Sequence, residues 1–322
     1  MSPAEPHQGL RAGALGLGES IIMGVAGSGP AYSVAVSTAT LVGAVGVLAP
    51  ASLLYCGLIM FGVVFAFRHL NREEVNAGAT YAWVTRIFSL GLGFFTGWSV
   101  VVGSILFMVS GTLPAATGTL QLFAPSLVDN QVAVTLVAAG WLIVIGGIVA
   151  EGIKLTSYTQ IVFTLVEAGV LALLIAVAAI HPVPVPAHTF SLGWYFGAGF
   201  TPSLFLSGAL VALFALSGWD VTVNLNEETR DGDRVAGSGS ILAVIVVIAL
   251  LAGFTAVALT VLSDDEIQGA GINIVFTIAD KLLPRPWSYL AVIAVMLSTV
   301  GTLETSILQF TRTMFAMGRD GA

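Results

Sequence analysis

The run Gly24-Val25-Ala26-Gly27-Ser28-Gly29-Pro30-Ala31-Tyr32 lies in the middle of the first long apolar stretch and constrains the fold more than any other segment. A helix surrounded by hydrocarbon does not carry three glycines, a serine and a proline at its centre unless it is interrupted there. Irregular backbone at membrane depth survives only where protein buries it or where it lines a cavity. Pro30 suits the first position of a new helical segment, where an N–H would have no partner anyway. The sequence therefore predicts a broken helix, with the N–H groups of Gly29, Ala31 and Tyr32 facing the break and able to bind an anion.

That this stretch crosses a bilayer is argued from composition. The chain has 322 residues, 57% of them hydrophobic and 9% charged, against about a quarter charged in soluble domains. The net charge of −7 comes from few groups and no basic cluster is present, which argues against nucleic-acid binding. The single cysteine, Cys56, lies in an apolar run, so no disulfide framework is expected. The first apolar run is too long for a cleaved signal peptide, and no small-residue cleavage site follows a short apolar core. His7, His69, His181 and His188 fall in the tail and in loops without His-x-x-x-His spacing, which argues against an intramembrane metal hydrolase. No deep lysine is available for a retinal adduct, and a simple pore has no need of a broken helix. No metal and no cofactor are expected, apart from H+ or Na+ as a coupling ion.

Crossing the hydrocarbon core takes roughly 20 apolar residues. The sequence predicts eight spans, at 14–42, 47–67, 92–122, 132–150, 157–180, 202–223, 241–262 and 287–315. Residues 77–89 are shorter and more polar, and read as a re-entrant or interfacial helix. Eight spans place both termini on one side. Arg11, Arg68, Arg72, Arg86, Lys154, Arg230, Arg234, Arg312 and Arg319 fall on that side, and Lys281 and Arg285 on the other. This asymmetry predicts a cytoplasmic N-terminus. The opposite loops carry Asp129, His181, Asp264, Asp265 and Glu266. The Pro-rich segment from His181 to Pro186 reads as a stiff linker. The expected divisions are a tail at 1–13, a first group of spans at 14–180, a linker at 181–201 and a second group at 202–322.

The first span of the second group contains Phe214-Ala215-Leu216-Ser217-Gly218-Trp219-Asp220. Ser217-Gly218 is a weak point between aromatics, and Asp220 is an acid inside the span. Glycine here also suits close helix packing. One group of spans enters from each side of the membrane, so the two groups have opposite topology. Interrupted helices at matching positions of two such halves point to a transporter binding site.

Four segments together resemble the amino acid–polyamine–organocation permeases, which share the LeuT-type fold. They are the Gly27-Ser28-Gly29 break; Asn76-Ala77-Gly78-Ala79-Thr80-Tyr81-Ala82-Trp83-Val84 with Gly93-Phe94-Phe95-Thr96-Gly97-Trp98; Phe214 to Trp219 with the tail Asn226-Glu227-Glu228-Thr229-Arg230-Asp231; and Arg312 to Gly321. The resemblance covers nearly the whole chain. It implies an all-α membrane protein, an inverted-repeat helical bundle with spans one and six broken, that carries amino acids across the plasma membrane by alternating access. Polyamines or other small amines are the alternative cargo. Family members usually have ten core spans, so a chain of eight reads as a piece of a longer permease. Some proton-coupled relatives carry a lysine on span five facing span one. Lining up Gly152-Ile153-Lys154 and Gln160-Ile161-Val162 with that pattern puts Glu167 there.

Acids inside spans are costly and mark functional hypotheses. Glu19 sits near the interface, and Asp220 reads as a cap for its own break. Burial penalises the charged form of a carboxyl, which makes Glu167 the expected proton-coupling group. Glu304, with Thr305 and Ser306, lies where sodium-coupled folds of this type place an ion, so Na+ stays open. The substrate is expected between the breaks. Ser28 and Gly29 would donate to its carboxylate, beside Gly27. Carbonyls near Met23, Gly24, Phe214 and Ala215 would accept from its ammonium group. Ser217, Gly218 and Trp219 complete the expected wall, with Trp98, Ser104 and Met108 of span three shaping it. The acids of residues 226–234 read either as partners of Arg72 or Arg86 that lock an inward gate or as a solvated loop. Oligomeric state is not legible.

Overall fold

The computed structural model describes residues 10–181, 184–197 and 199–322. Most of the tail at 1–13 and part of the Pro-rich linker therefore lie outside the described residues. The chain forms α1 (Leu17–Ser28), α2 (Pro30–Val45), α3 (Ala49–Glu73), α4 (Thr80–Ile87), α5 (Leu90–Gly111), α6 (Leu113–Phe123), α7 (Gln131–Glu151) and α8 (Ile153–Ile180). It continues through α9 (Gly193–Phe196), α10 (Pro202–Ala215), α11 (Val221–Asn224), α12 (Gly232–Val261), α13 (Asp264–Ala270), α14 (Ile274–Leu282) and α15 (Leu290–Asp320). Strand-like pairing among the described residues is limited to one bridge between Leu15 and Thr229.

Among the described residues six helical stretches are long and apolar enough to cross a membrane. The first, Leu17–Glu73, holds two crossings because the chain reverses at Gly46, whose φ of 57° and ψ of −135° end α2. Neighbours fix the reversal. Asn71 Nδ2 donates to the Gly232 carbonyl at 2.7 Å and Gly57 abuts Ile248, so α3 runs antiparallel to α12. Ser20 faces Gly239 and Gly24 faces Ala243, so α1 runs parallel to α12. The α1–α12 seam places small residues four apart, Ser20 and Gly24 against Gly239 and Ala243, the spacing that lets membrane helices approach closely. With α10 and its short continuation, the eight expected crossings are accounted for. α12 begins well before the expected residue 241, and α15 continues past 315 to Asp320.

The first break is a single residue. Gly29 adopts φ 50° and ψ 72°, the left-handed region that glycine enters without steric cost. Its N–H caps α1 on the carbonyls of Val25 (2.9 Å) and Ala26 (3.1 Å), and Pro30 opens α2. The second break is wider, from Leu216 to Asp220, with Gly218 at φ 96°. It leads into the single turn α11 and a 3-10 turn at Asn226–Glu228, not the helical half-span expected to 223.

From Gly24 to Val45 the two interrupted segments lie against each other and run in opposite directions, while at Leu15 the chain pairs by a parallel bridge with Thr229. Leu15 exchanges backbone bonds with Glu228 and Arg230 at 3.1 and 2.8 Å. Gly24 faces Thr222, Gly27 faces Gly218, and Val45 faces Gly208. At the crossing the contact is backbone on backbone. A Cβ added to Gly27 would strike the Gly218 carbonyl, and one added to Gly218 would strike that of Gly27.

The face that holds the start of α1 is tied by two bidentate ion pairs. Arg312 Nε and Nη2 donate to Glu228 at 2.9 and 3.1 Å, and Arg319 Nη2 and Nη1 donate to Glu227 at 3.0 and 3.1 Å. Glu227 also accepts from the Ala77 N–H at 2.9 Å, which binds the loop before α4 into the same cluster. The expected pairing with Arg72 or Arg86 is therefore corrected. Arg86 reaches Glu74 instead, and α15 extends far enough to bring its own arginines under the exit of the second break. The expected interfacial segment at 77–89 contains α4, whose Trp83 stacks edge-on to Phe67. On the opposite face Lys281 pairs with Glu266 at 2.6 Å and Arg285 with Asp280 at 2.9 Å. The Lys281 ammonium beside it is the main reason that the Glu266 carboxyl is held below its ordinary range. The sequence reading missed α13 and α14 there. The signal was present, because Ser263 and Glu266 form a reciprocal cap at the start of α13.

This packing sets two expected outcomes. Gly27→Ala overfills the crossing and is expected to cost about 1–3 kcal/mol, while Gly62→Ala, which meets open space, leaves thermal unfolding in detergent unchanged. Arg312→Ala strands the buried Glu228 and is expected to cost about 3–5 kcal/mol. The exchange Glu228→Arg with Arg312→Glu recovers a large part of that loss in the same unfolding measurement.

Candidate functional site

Beside the crossing of the two breaks is a cavity of about 310 Å³. Four structural units wall it: the first break with α2 (Gly27, Ser28, Tyr32, Ser33), the second break (Phe214, Ser217, Gly218, Asp220), α5 (Ser99, Val100, Gly103, Ser104, Phe107) and α15 (Thr302, Ser306, Gln309). Each contributes residues at helical spacing or from irregular backbone. On α15 the residues Thr302, Ser306 and Gln309 recur at the three- and four-residue steps that share one helix face. Tyr32 and Phe107 meet edge to face, with centroids 5.7 Å apart.

Of the expected wall, Gly27, Ser28, Phe214, Ser217 and Gly218 do line this cavity, and Ser104 joins them from α5. Phe214 is half exposed. Met23, Gly24, Gly29, Ala215 and Trp219 do not line it. Met23 is buried in a small cluster with Leu15, Ile153, Val221 and Leu225. Gly24 is consumed by the approach of α1 to α12 and Thr222. Gly29 sits against Thr302, Ala215 faces the main core, and Trp219 packs edge-on to Phe67. Trp98 is turned outward and stacks on Phe94, and Met108 packs beside the cluster around Ala115.

The expectation for the backbone donors is also corrected. The Gly29 N–H is spent on capping α1. The Ala31 N–H donates to Glu167 Oε2 at 3.3 Å, and the Tyr32 N–H donates to Ser298 Oγ at 2.9 Å. The Ser298 hydroxyl bonds the Glu167 carboxyl in turn. The acceptor at the start of α2 is thus the protein's own Glu167 carboxyl, which is 1% exposed and lies behind the break, outside the cavity. An ionised carboxylate is stabilised there by the positive end of the helix as well as by the two hydrogen bonds.

Glu304, Thr305 and Ser306 do not converge. Consecutive helical residues point about 100° apart, and these three face different neighbours. Glu304 turns to α8, where its Oε2 accepts from Gln160 Nε2 at 2.6 Å and Thr159 Oγ1 at 3.1 Å. Thr305 donates back to the Thr302 carbonyl at 2.8 Å, and Ser306 faces the cavity. Among the described residues no group of three or more His, Cys, Asp or Glu is arranged to hold a metal ion. Glu19 caps α1 by accepting from the Gly16 N–H at 3.0 Å.

Several wall residues were assigned no binding role from sequence, Asp220 and Gln309 among them. Gln309 was not singled out, although its spacing from Thr302 and Ser306 was the available signal. Asp220 was read as a cap, yet it makes no capping bond to α11. Its Oδ2 accepts from Gln309 Nε2 at 2.7 Å across the cavity floor.

A family model described as amino acid permease matches residues 17–322. The chain is 26% identical over 256 residues to Asc-type amino acid transporter 1 of Mus musculus, covering 76% of this chain and 47% of that protein. It is 23% identical over 270 residues to the serine/threonine exchanger SteT of Bacillus subtilis, covering 81% of this chain and 58% of that one. The chain thus spans about half the length of the curated relatives it matches. The match along the permease model, from the first helix to the last residue, agrees with an all-α, multi-pass membrane architecture built on interrupted helices: the chain belongs to the amino acid permease family.

Proposed function

We propose that this chain forms most of the core of a secondary active transporter for amino acids or related small amines, acting by alternating access and not as an enzyme. The observation that carries this reading is the crossing of two antiparallel interrupted helices, break against break, beside a cavity of about 310 Å³. Such a crossing gives one site two opposed sets of half-helix ends, the arrangement by which transporters bind a small polar solute at mid-membrane. Residues 14–180 and 202–322 are then two repeats of opposite orientation in a LeuT-type bundle. The relatives named as an amino acid transporter and a serine/threonine exchanger support the cargo class. The excess of arginine and lysine on the face holding the start of α1 supports a plasma-membrane protein with a cytoplasmic N-terminus.

Proton coupling through Glu167 is the favoured energy source. While ionised, Glu167 holds α2 by its Ala31 N–H and by Ser298 of α15. A proton on the carboxyl removes the charge that both bonds and the helix end favour. Protonation therefore loosens α2 from α8 and α15, which links a proton to movement at the break. Sodium coupling is the less favoured reading, since Glu304, Thr305 and Ser306 face three different ways.

In proteoliposomes, radiolabelled amino acid uptake driven by an imposed pH gradient is expected to be saturable. Glu167→Gln is expected to abolish the gradient-driven part while substrate exchange at zero gradient persists. Gradient-driven uptake unchanged in that variant would remove Glu167 from the coupling role. The measurement is made both on this chain and on its full-length gene product.

A further inference from the structure

We propose that the seam between α3 and α12 seats an anionic phospholipid of the leaflet next to the start of α1, with its phosphate on Arg68 and Arg72 and an acyl chain along the apolar flank beside them. The site is separate from the cavity, which neither arginine walls.

The contacts between the two helices fix their register. Gly57 abuts Ile248 and Gly237 abuts Arg68, so the antiparallel pair sets Arg72 level with Asp233 and Phe61 level with Val244. On α3, Phe61, Phe65, Arg68 and Arg72 recur at steps of four, three and four, which share one helix face. On α12, Arg234, Ser238, Ile241 and Ile245 recur in the same way. In an antiparallel pair of this register both faces turn to one side of the seam. That side is open, with Phe65 53% and Ile245 48% exposed. The flank is therefore cationic at one end and apolar along the rest. A helix rises about 16 Å from Phe61 to Arg72, close to the roughly 15 Å hydrocarbon depth of one leaflet.

Arg68 sets this cluster apart from arginines that only orient a chain in the membrane. Such residues keep the guanidinium in water. Arg68 instead lies with its Cα, Cβ and Cγ against Gly237, where a Cβ would collide, and its Nε is buried without a hydrogen-bond partner. Buried donors in folded proteins are nearly always bonded, so this one calls for an acceptor. The nearby acids are engaged elsewhere among the described residues. Asp233 reaches Arg234 at 3.6 Å, Glu74 pairs with Arg86, and Glu228 and Glu227 pair with Arg312 and Arg319. Glu73 follows Arg72 directly on the helix and so points about 100° away from it.

Two arginines one helical turn apart are thus left with positive charge and free donors. Guanidinium binds phosphate through paired hydrogen bonds, and basic pockets between membrane helices on the cytoplasmic side suit lipid headgroups. A soluble anion would satisfy the arginines and leave Phe61, Phe65, Ile241 and Ile245 uncovered. A diacyl lipid matches both ends of the flank.

The test is native mass spectrometry of the purified protein titrated with dioleoyl phosphatidylglycerol or dioleoyl phosphatidylcholine, which share their acyl chains. Phosphatidylglycerol is expected to bind about tenfold more tightly, and Arg68→Gln with Arg72→Gln is expected to remove that preference. Lys154→Gln, an exposed cation next to Ile153, which clusters with Leu15 on the same face, is expected to leave it within twofold. Thermal unfolding checks that the double variant is folded. If it is not, Arg72→Gln with Arg234→Gln, both exposed, carries the same test and is expected to weaken phosphatidylglycerol at least fivefold. Equal binding of the two lipids overturns the proposal, as does an equal loss in Lys154→Gln, which marks a diffuse attraction to the whole face. Inorganic phosphate that displaces phosphatidylglycerol completely overturns it too, since the acyl chain then adds nothing. Each of these results leaves the transport reading standing, because that reading rests on the cavity.

Discussion

The structure depends on one contact, the approach of Gly27 to Gly218. No side chain stands between the two backbones there. Because the contact lies at both breaks, it aligns the end of α1 with the end of α10 and sets the two interrupted segments antiparallel from Gly24 to Val45. Membrane helices gain little from apolar burial against one another, since lipid is equally apolar, so close packing of small residues carries the association. Glycine at the crossing thus serves two ends. It lets the segments touch, and at Gly218 it also supplies the positive φ that turns the chain.

A break in a membrane helix exposes backbone groups that must find partners. At the first break the protein supplies nearly all of them itself. Gly29 closes α1, Glu167 and Ser298 take the first N–H groups of α2, and Thr302 donates to the Ala26 carbonyl. Those partners come from α8, which lies behind the break, and from α15, which also walls the cavity. The first break is accordingly held by a scaffold. The second break is held mainly by the first, and by Gln309 reaching Asp220. The two halves of the site are unequal in stiffness for that reason, and the less bonded one carries the half-exposed Phe214.

Much of this was legible in the chain. Hydropathy placed the spans, and Gly-Ser-Gly-Pro and Ser-Gly marked both interruptions, because glycine and proline have few other uses inside a span. What escaped was partnership. The Ala31 N–H and Glu167 are 136 residues apart, and nothing local says that an N–H group free at a helix start will be met by an acid from another helix. The same holds for Arg312 and Arg319. Their charge and side were readable, but their choice of Glu228 and Glu227 over other acids depends on where α15 ends. Glu304, Thr305 and Ser306 were misjudged for a simpler reason. Adjacency in a helix sequence is divergence in space.

Glu167 and Asp220 both lie at breaks, yet one is folded into the scaffold behind α2 and the other faces the cavity. The Glu167 carboxyl accepts from the Ala31 N–H and is bonded by Ser298, so its partners belong to the packing of α2 against α15. The Asp220 carboxyl accepts from Gln309 Nε2 and is the one acid among the residues that wall the cavity. Ser298 and Thr302, one helical turn apart on α15, bond the start of α2 and the end of α1 respectively. Since Thr302, Ser306 and Gln309 also face the cavity, α15 touches the surroundings of both acids, as α2 does through Ala31, Tyr32 and Ser33.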